Sequence, residues 1–275
     1  MPIKIAHEST ISVFEEVQKF TDYDYALVHL FDESPEYLAM FEKARDAGRE
    51  IILDNSIFEL GTAFDMDRYA EWIEKFRPTW YIIPDVLEDS SGTLRNVRTW
   101  MEKYSDLPGK KIAVIQGQSY IEIASLYQEF DKLDIDMIAF PFDFSLYEDL
   151  VPHSNKLVSW MLGRVTLLSK LKANGVINTN RKHHLLGCSL PQEFMFYKEA
   201  DDMDWIYSLD TSNPVVHGLK HIEYSDQGLW DKASEKLFTL INSEVSYEQL
   251  QMMKYNMQRF RWFVNGTLDL IDPVV

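Results

Sequence analysis

The stretch KIAVIQGQSYIEIASLYQEFDKLDIDMIAFP, residues 111–141, contains two apolar runs of strand length, KIAVIQG (111–117) and DMIAFP (136–141). Between them, SYIEIASLYQEFDKL (119–133) spaces its apolar residues as a helix does. Strand, helix and strand joined by short links make a parallel β/α unit. The same alternation continues in both directions. IKIAHES (3–9), YALVHLF (25–31), EIILD (50–54) and TWYIIPD (79–85) precede it as strands, and HHLLGCS (183–189) and WIYSLD (205–210) follow. Helical spacing recurs in SPEYLAMFEKARDAG (34–48), DMDRYAEWIEKF (65–76), SGTLRNVRTWMEKY (91–104), NKLVSWMLGRVTLLSKLK (155–172) and PQEFMFYKEA (191–200). In the first of these Ser34 is placed to cap, Pro35 opens the first turn and Gly48 stops it.

Eight strands is the number that closes a sheet into a barrel filled by its own side chains. The expected fold is therefore α/β, a (β/α)8 TIM-like barrel with a C-terminal helical segment. An open doubly wound sheet is the alternative, although no G-x-G-x-x-G follows the first strand. After Asp210 the alternation gives way to TSNPVVHGLKHIEYSDQG (211–228), read as a loop, and to a helical tail, SYEQLQMMKYNMQRFRWFVNGTLDLI (246–271). No linker, repeat or low-complexity tract divides the chain. The expectation is a single barrel domain over 1–275, with 246–271 packed on it.

Composition narrows the function. The formal net charge is −17 over 275 residues, whereas a protein that grips a long nucleic acid usually presents a basic face. The basic clusters are RKHH (181–184) and the trio Lys254, Arg259 and Arg261. RKHH reads equally as a phosphate contact or a solvated loop, with His184 packed beside an apolar run; the trio reads as the outer face of the tail. The Met and aromatic residues of 252–263 fall at helical spacing, as core packing would place them. Cys188 is the single cysteine, which excludes an internal disulfide and a multi-cysteine zinc site. No run approaches the ~20 apolar residues of a membrane span and the first residues do not read as a signal peptide, so no membrane and a cytoplasmic location are expected. No metal and no cofactor are expected.

Polar residues close several strands: Asp54 and Asn55 after EIIL, Asp85 in IIPDV, Gln116 and Gly117 in VIQGQ, Asp143 after IAFPF, and Asp210 in YSLDTSNP. In a parallel barrel these ends share one face, where the βα loops build the active site. Any one of them alone reads as a helix cap or a turn. Together, one carboxylate can attack an electrophilic carbon, a second can move a proton, and a glutamine can offer donor and acceptor to a planar ring. Two acids alone would equally suit a glycoside hydrolase.

The ordered set LDNSIF, PDV, VIQGQ, HLLGCSLPQE and SLDTSNP, between residues 50 and 215, resembles the tRNA-guanine transglycosylase superfamily. The likeness is greatest to its short viral relatives that place 7-deazaguanine bases in DNA. The resemblance implies that Asp210 is the covalent nucleophile and that Asp54 is the second catalytic carboxylate. It implies further that Asp85 and Gln116 read the base edge, that Phe58 and Leu186 sandwich the ring, and that Gly117 and Gly187 belong to the same base-binding set. Asn55, Asp143, Arg181 and His217 are further candidates for substrate contact. Two glycines of the family's D-S-G-G-aromatic stretch are replaced by Ser56 and Ile57, and its zinc motif of three cysteines and a histidine is absent.

The implied activity is exchange of guanine in a nucleic acid, DNA before tRNA, for a 7-deazaguanine through a covalent aspartyl-glycosyl intermediate. The implied partners are a purine or 7-deazapurine base, a DNA or nucleotide substrate and a recruiting protein, in the host cytoplasm if the chain is viral. Two alternatives stand beside it. One is an N-glycosidase or transferase acting on a small nucleotide or nucleoside, and the other is a catalytically silent base-binding protein.

Overall fold

The structure, a computed structural model, describes residues 2–142, 145–188, 190–199, 204–231 and 236–266. Eight parallel strands form a nearly closed barrel with helices around it: β1 (Lys4–His7), β2 (Asp24–Leu27), β3 (Ile51–Asp54), β4 (Trp80–Ile82), β5 (Lys110–Val114), β6 (Met137–Phe140), β7 (Lys182–Leu185) and β8 (Ile206–Thr211). The ladder runs β1-β8-β7-β6-β5-β4-β3-β2, and every expected strand contributes to it. The barrel fold is thus the one expected from the alternation of runs.

The strands are short because each needs only to cross the barrel. Most are buried along their length, as strands walled by helices outside and by each other inside must be. The helices begin where the sequence supplies an acceptor for the free N–H groups of a first turn. Ser34 accepts from Tyr37 N–H, Asp65 from Arg68, Asp89 from Gly92 and Ser119 from Glu122. Ser246 and Gln249 form a reciprocal capping box that starts the helix Tyr247–Asn265.

Two expected elements change. YALVHLF leaves the sheet at Leu27 and continues as the helix Val28–Glu33. A continuous apolar run carries no periodicity that separates strand from helix. Here Phe31 goes into a cluster with Tyr37, Phe41, Trp72 and Phe76. The segment read as a loop after Asp210 contains the helix Asn213–Leu219, with Pro214 in its first turn and all seven residues buried. Its Gly218 lies against the C-terminal helix, where an added Cβ would stand 2.4 Å from Met253 Cγ and 2.8 Å from its backbone nitrogen.

β1 and β2 close the barrel without a ladder of their own. Asp22 bridges them instead: its N–H donates to Ile5 O (2.8 Å) and its carboxylate accepts from Ile5 N–H (2.8 Å). Arg261 of the C-terminal helix pairs with the same carboxylate at 3.1 Å. At the end of that helix the Asn265 amide accepts from Ile3 N–H (2.9 Å) and donates to Ile3 O (3.1 Å), acting as a short stretch of partner strand. Lys254 pairs with Glu16 and Arg259 with Asp226. The basic trio, read as the outer face of the tail, is thus ion-paired and largely covered. Met253, Met257, Phe260 and Phe263 are buried beneath it. No helix among the described residues is long and apolar enough to cross a membrane.

Because Asn265 satisfies both polar groups of Ile3, Asn265→Ala is expected to cost about 1–3 kcal/mol, the worth of two partly buried hydrogen bonds. Urea denaturation followed by circular dichroism measures it.

Candidate active site

At the C-terminal ends of the strands the barrel opens into a cavity of about 370 Å³. Asp54, Asp85, Gln116 and Asp210, each from the end of a different strand or the loop after it, all line it. These four side chains are nearly withdrawn from solvent, so their hydrogen bonds fix both aim and charge.

Asp210 ends β8. His184 Nε2 donates to its Oδ1 at 2.9 Å, and Gly187 N–H lies 3.2 Å from Oδ1 and 3.3 Å from Oδ2. Gly187 adopts φ +61°, a left-handed conformation that suits a residue without a Cβ, and so turns its N–H toward the carboxylate. The turn is held from behind by Arg164, whose guanidinium donates to Leu186 O and Gly187 O (both 2.9 Å) and pairs two-pronged with Glu193 (2.8 and 2.9 Å). Both charged side chains are fully buried.

Asp54 ends β3. Its Oδ2 accepts from Tyr25 O–H at 2.6 Å and its Oδ1 from Ser56 N–H at 2.5 Å. Ser56 holds φ +60°, a left-handed shape that glycine adopts more readily. Ile57 begins a one-turn helix Ile57–Leu60 and lines the cavity beside Phe58. Phe58 stands half-exposed at the rim, with Lys236 Nζ 4.3 Å from its ring centre and bonded to its carbonyl at 2.7 Å.

Asp85 accepts from Asn55 Nδ2 at 2.8 Å on one oxygen and from Gln116 Nε2 at 2.7 Å on the other. Gln116 Oε1 in turn accepts from Glu88 N–H at 2.9 Å. Each carboxylate oxygen has a second lone pair, so the group keeps acceptor capacity for a ligand.

The expected contacts divide on inspection. Leu186 and Gly187 line the cavity, as does His217, whose Nδ1 lies 2.8 Å from Asn213 O. Asn55 lines it too, but its amide is committed to Asp85, Ile83 O and Ile57 N–H, making it a brace for Asp85. Gly117 does not line the cavity; a Cβ there would meet Glu122 Cβ at 3.1 Å, so the residue faces the following helix. Arg181 is also misplaced by the sequence reading. It precedes β7 at the opposite end of the barrel, where it bonds Asp131 and Ile135 O. The RKHH cluster is not a solvated loop: His183 and His184 are fully buried in β7, and Lys182 lies over the rings of Trp80 and Tyr207. Asp143 lies outside the described residues.

Four further side chains of the site were not singled out from sequence for such a role. Glu8 follows β1, Glu59 lies in the one-turn helix, and both enter the cavity along with Tyr25 and Lys236. Glu8 repeats the pattern of an acid at a strand end, which is the signal that could have found it. Among the described residues no three His, Cys, Asp or Glu side chains are arranged to hold a metal ion.

The crowding of carboxylates shifts their protonation. Burial, then the charge of Glu59, push Asp54 well above the usual carboxylate range, against the bonds from Tyr25 and Ser56. Burial raises Glu59 to about 7, with Asp210 adding repulsion. Glu8 is raised by burial and by Asp210, Glu59 and Asp54. Asp85 is raised by burial alone, while Asn55 and Gln116 restrain the rise.

No family model matches the chain, and no curated protein matches it. Among solved structures, one described as "Structural study of Project ID from Aquifex aeolicus VF5" aligns with 96% of this chain and 93% of its own at 11% identity, with a TM-score of 0.50. At that identity the likeness is one of fold.

Two outcomes follow for stability. Glu59 keeps a proton in the folded state between pH 4.5, its ordinary value, and about 7, while the unfolded chain has released it. Stability therefore falls as pH rises through that window. Glu59→Gln is expected to flatten this decline in urea titrations, with a residual slope left by Glu8 and Asp54. Arg164→Met strands the Glu193 carboxylate in the interior and is expected to cost about 3–5 kcal/mol by the same measurement.

Proposed function

We propose that the chain is a base-exchanging transglycosylase that replaces guanine in a nucleic acid, DNA in the first instance, by a 7-deazaguanine. The observation that carries this reading is the convergence, in one cavity, of Asp210 and Asp54 with the Asp85–Asn55–Gln116 set. A carboxylate braced by two amides suits the adjacent N–H donors of a guanine edge, and Phe58 and Leu186 offer apolar surface to the ring faces.

In this mechanism Asp210 attacks C1′ of the nucleoside and the bond from C1′ to the base breaks. The electron pair leaves on the base, which takes a proton from Asp54. Burial and the neighbouring Glu59 favour the protonated Asp54 that this step requires. The incoming base then displaces Asp210 from the same carbon and returns a proton to Asp54, giving retention through two inversions. In duplex DNA the target nucleotide must leave the stack to enter.

A second reading, hydrolysis or transfer on a free nucleoside, is favoured by the acidic mouth. Glu8 and Glu59 enter the cavity, with Lys236 as the lysine among its lining residues, an arrangement poorly suited to a polyphosphate backbone.

Incubation with radiolabelled guanine or 7-deazaguanine, together with DNA, tRNA or free nucleosides, separates the readings. Label in DNA and a quench-stable protein adduct, both lost in Asp210→Asn, are expected. Asp85→Asn is expected to weaken base binding about tenfold to a hundredfold, the worth of a hydrogen bond to a charged group. Base release from nucleosides alone would transfer the conclusion to the second reading. Base binding equal in wild type and Asp210→Asn, without an adduct, would leave a silent binding protein.

A further inference from the structure

His184 is bonded to Asp210, and its own setting leaves it little freedom. Its ring is fully buried in β7. Nε2 faces Asp210 Oδ1 at 2.9 Å and Nδ1 faces Ser208 Oγ at 2.9 Å. Tyr25 lies nearly parallel to it, with centroids 6.2 Å apart and planes at 14°, and Tyr23 meets it edge-on at 6.5 Å. A carboxylate only accepts, so Nε2 carries the proton in this bond, while Ser208 Oγ, whose hydroxyl also points to Met137 Sδ at 3.8 Å, holds the ring from the Nδ1 side.

The two oxygens of Asp210 are therefore unequal. Among the described residues Oδ1 receives His184 and Gly187, whereas Oδ2 has the longer Gly187 contact at 3.3 Å. We propose that His184 is a positioning residue that reserves Oδ2 as the attacking atom and stabilises the carboxylate as the leaving group of the second displacement. This rests on the transglycosylase reading above.

The balance of the two steps gives the role its direction. In the first, a lone pair of Oδ2 forms the bond to C1′ and the electrons of the glycosidic bond leave on the base, so negative charge drains from Asp210 as the ester forms. The hydrogen bond from His184 stabilises the charged carboxylate more than the ester, and restrains this step slightly. In the second, a nitrogen of the incoming base bonds to C1′, the bond from C1′ to Oδ2 breaks, and its electron pair returns to the carboxylate. Charge now grows on Asp210, where His184 Nε2–H and Gly187 N–H already point, as preorganised donors do at a developing anion. The stacked Tyr25, whose hydroxyl bonds Asp54, fixes the imidazole between the two catalytic acids without adding a proton donor to Asp210.

The test separates formation of the adduct from its resolution. His184→Phe keeps an aromatic ring against Tyr25 and removes the donor; His184→Gln replaces it with an amide donor. Rapid-quench measurements on the full chain, with labelled DNA and saturating 7-deazaguanine, read the adduct burst and the steady-state rate. The expected result for His184→Phe is a preserved burst, an adduct that accumulates, and turnover reduced about tenfold to a hundredfold, as for loss of one charge-assisted hydrogen bond. Partial recovery is expected in His184→Gln. If His184→Phe does not fold, Ser208→Ala, which releases the far side of the imidazole, is expected to show a smaller accumulation in the same sense. Burst and turnover equal to wild type, or falling together without accumulation, would overturn the role of His184 while leaving the transglycosylase reading intact. Absence of any adduct in the wild type would overturn that reading, and this inference with it.

Discussion

The buried pair of Arg164 and Glu193 is the interaction on which the site depends. A guanidinium and a carboxylate with no exposed surface are tolerable only when every polar atom finds a partner. Glu193 takes two bonds from Arg164 and one from Tyr197 O–H at 2.7 Å, and two further guanidinium protons go to the carbonyls of Leu186 and Gly187. Those carbonyls belong to the turn that follows β7, so the pair converts a helix position, Arg164, into the orientation of a backbone N–H beside Asp210. The site is thereby built from a rigid element and not from the loop alone.

The electrostatics follow from the same economy of cations. Apart from Lys236, the cavity lining among the described residues presents carboxylates with no arginine or lysine to neutralise them. Burial and mutual repulsion then do what a cation would otherwise prevent, and raise Asp54, Glu8 and Glu59. A protonated acid next to a hydrogen-bonded, aimed carboxylate is the pairing that acid-assisted departure of a base requires. The net charge of −17 has a local counterpart in this mouth, which bears directly on how a polyanion would approach it.

Much of this was readable along the chain because a βα-barrel repeats one local rule. Each strand ends on the same face, so Asp54, Asp85, Gln116 and Asp210 could be assigned to one cavity without any knowledge of long-range contacts. Gly117 and Arg181 were misread for local reasons: a glycine beside a cavity-lining glutamine can turn toward either the cavity or the helix, and a basic cluster next to a strand gives no sign of which end of the strand it occupies. His184 looked like packing because an imidazole in an apolar run is ordinarily that. Its partner lies 26 residues away on the neighbouring strand.

What the sequence determined by itself was therefore the periodic part: eight runs of strand length, their intervening helices and the polar residues at the strand ends, all governed by local patterning. What only the tertiary structure decided was the pairing of side chains across strands. The register of β7 against β8 sets His184 beside Ser208 and brings Asp210 within its reach. The closure of β1 toward β2 depends on Asp22 and on a helix more than 200 residues later. The approach of Glu59 to Asp54 depends on a single turn of helix. These are matters of distance between remote segments, and a pattern of residue types contains no distance.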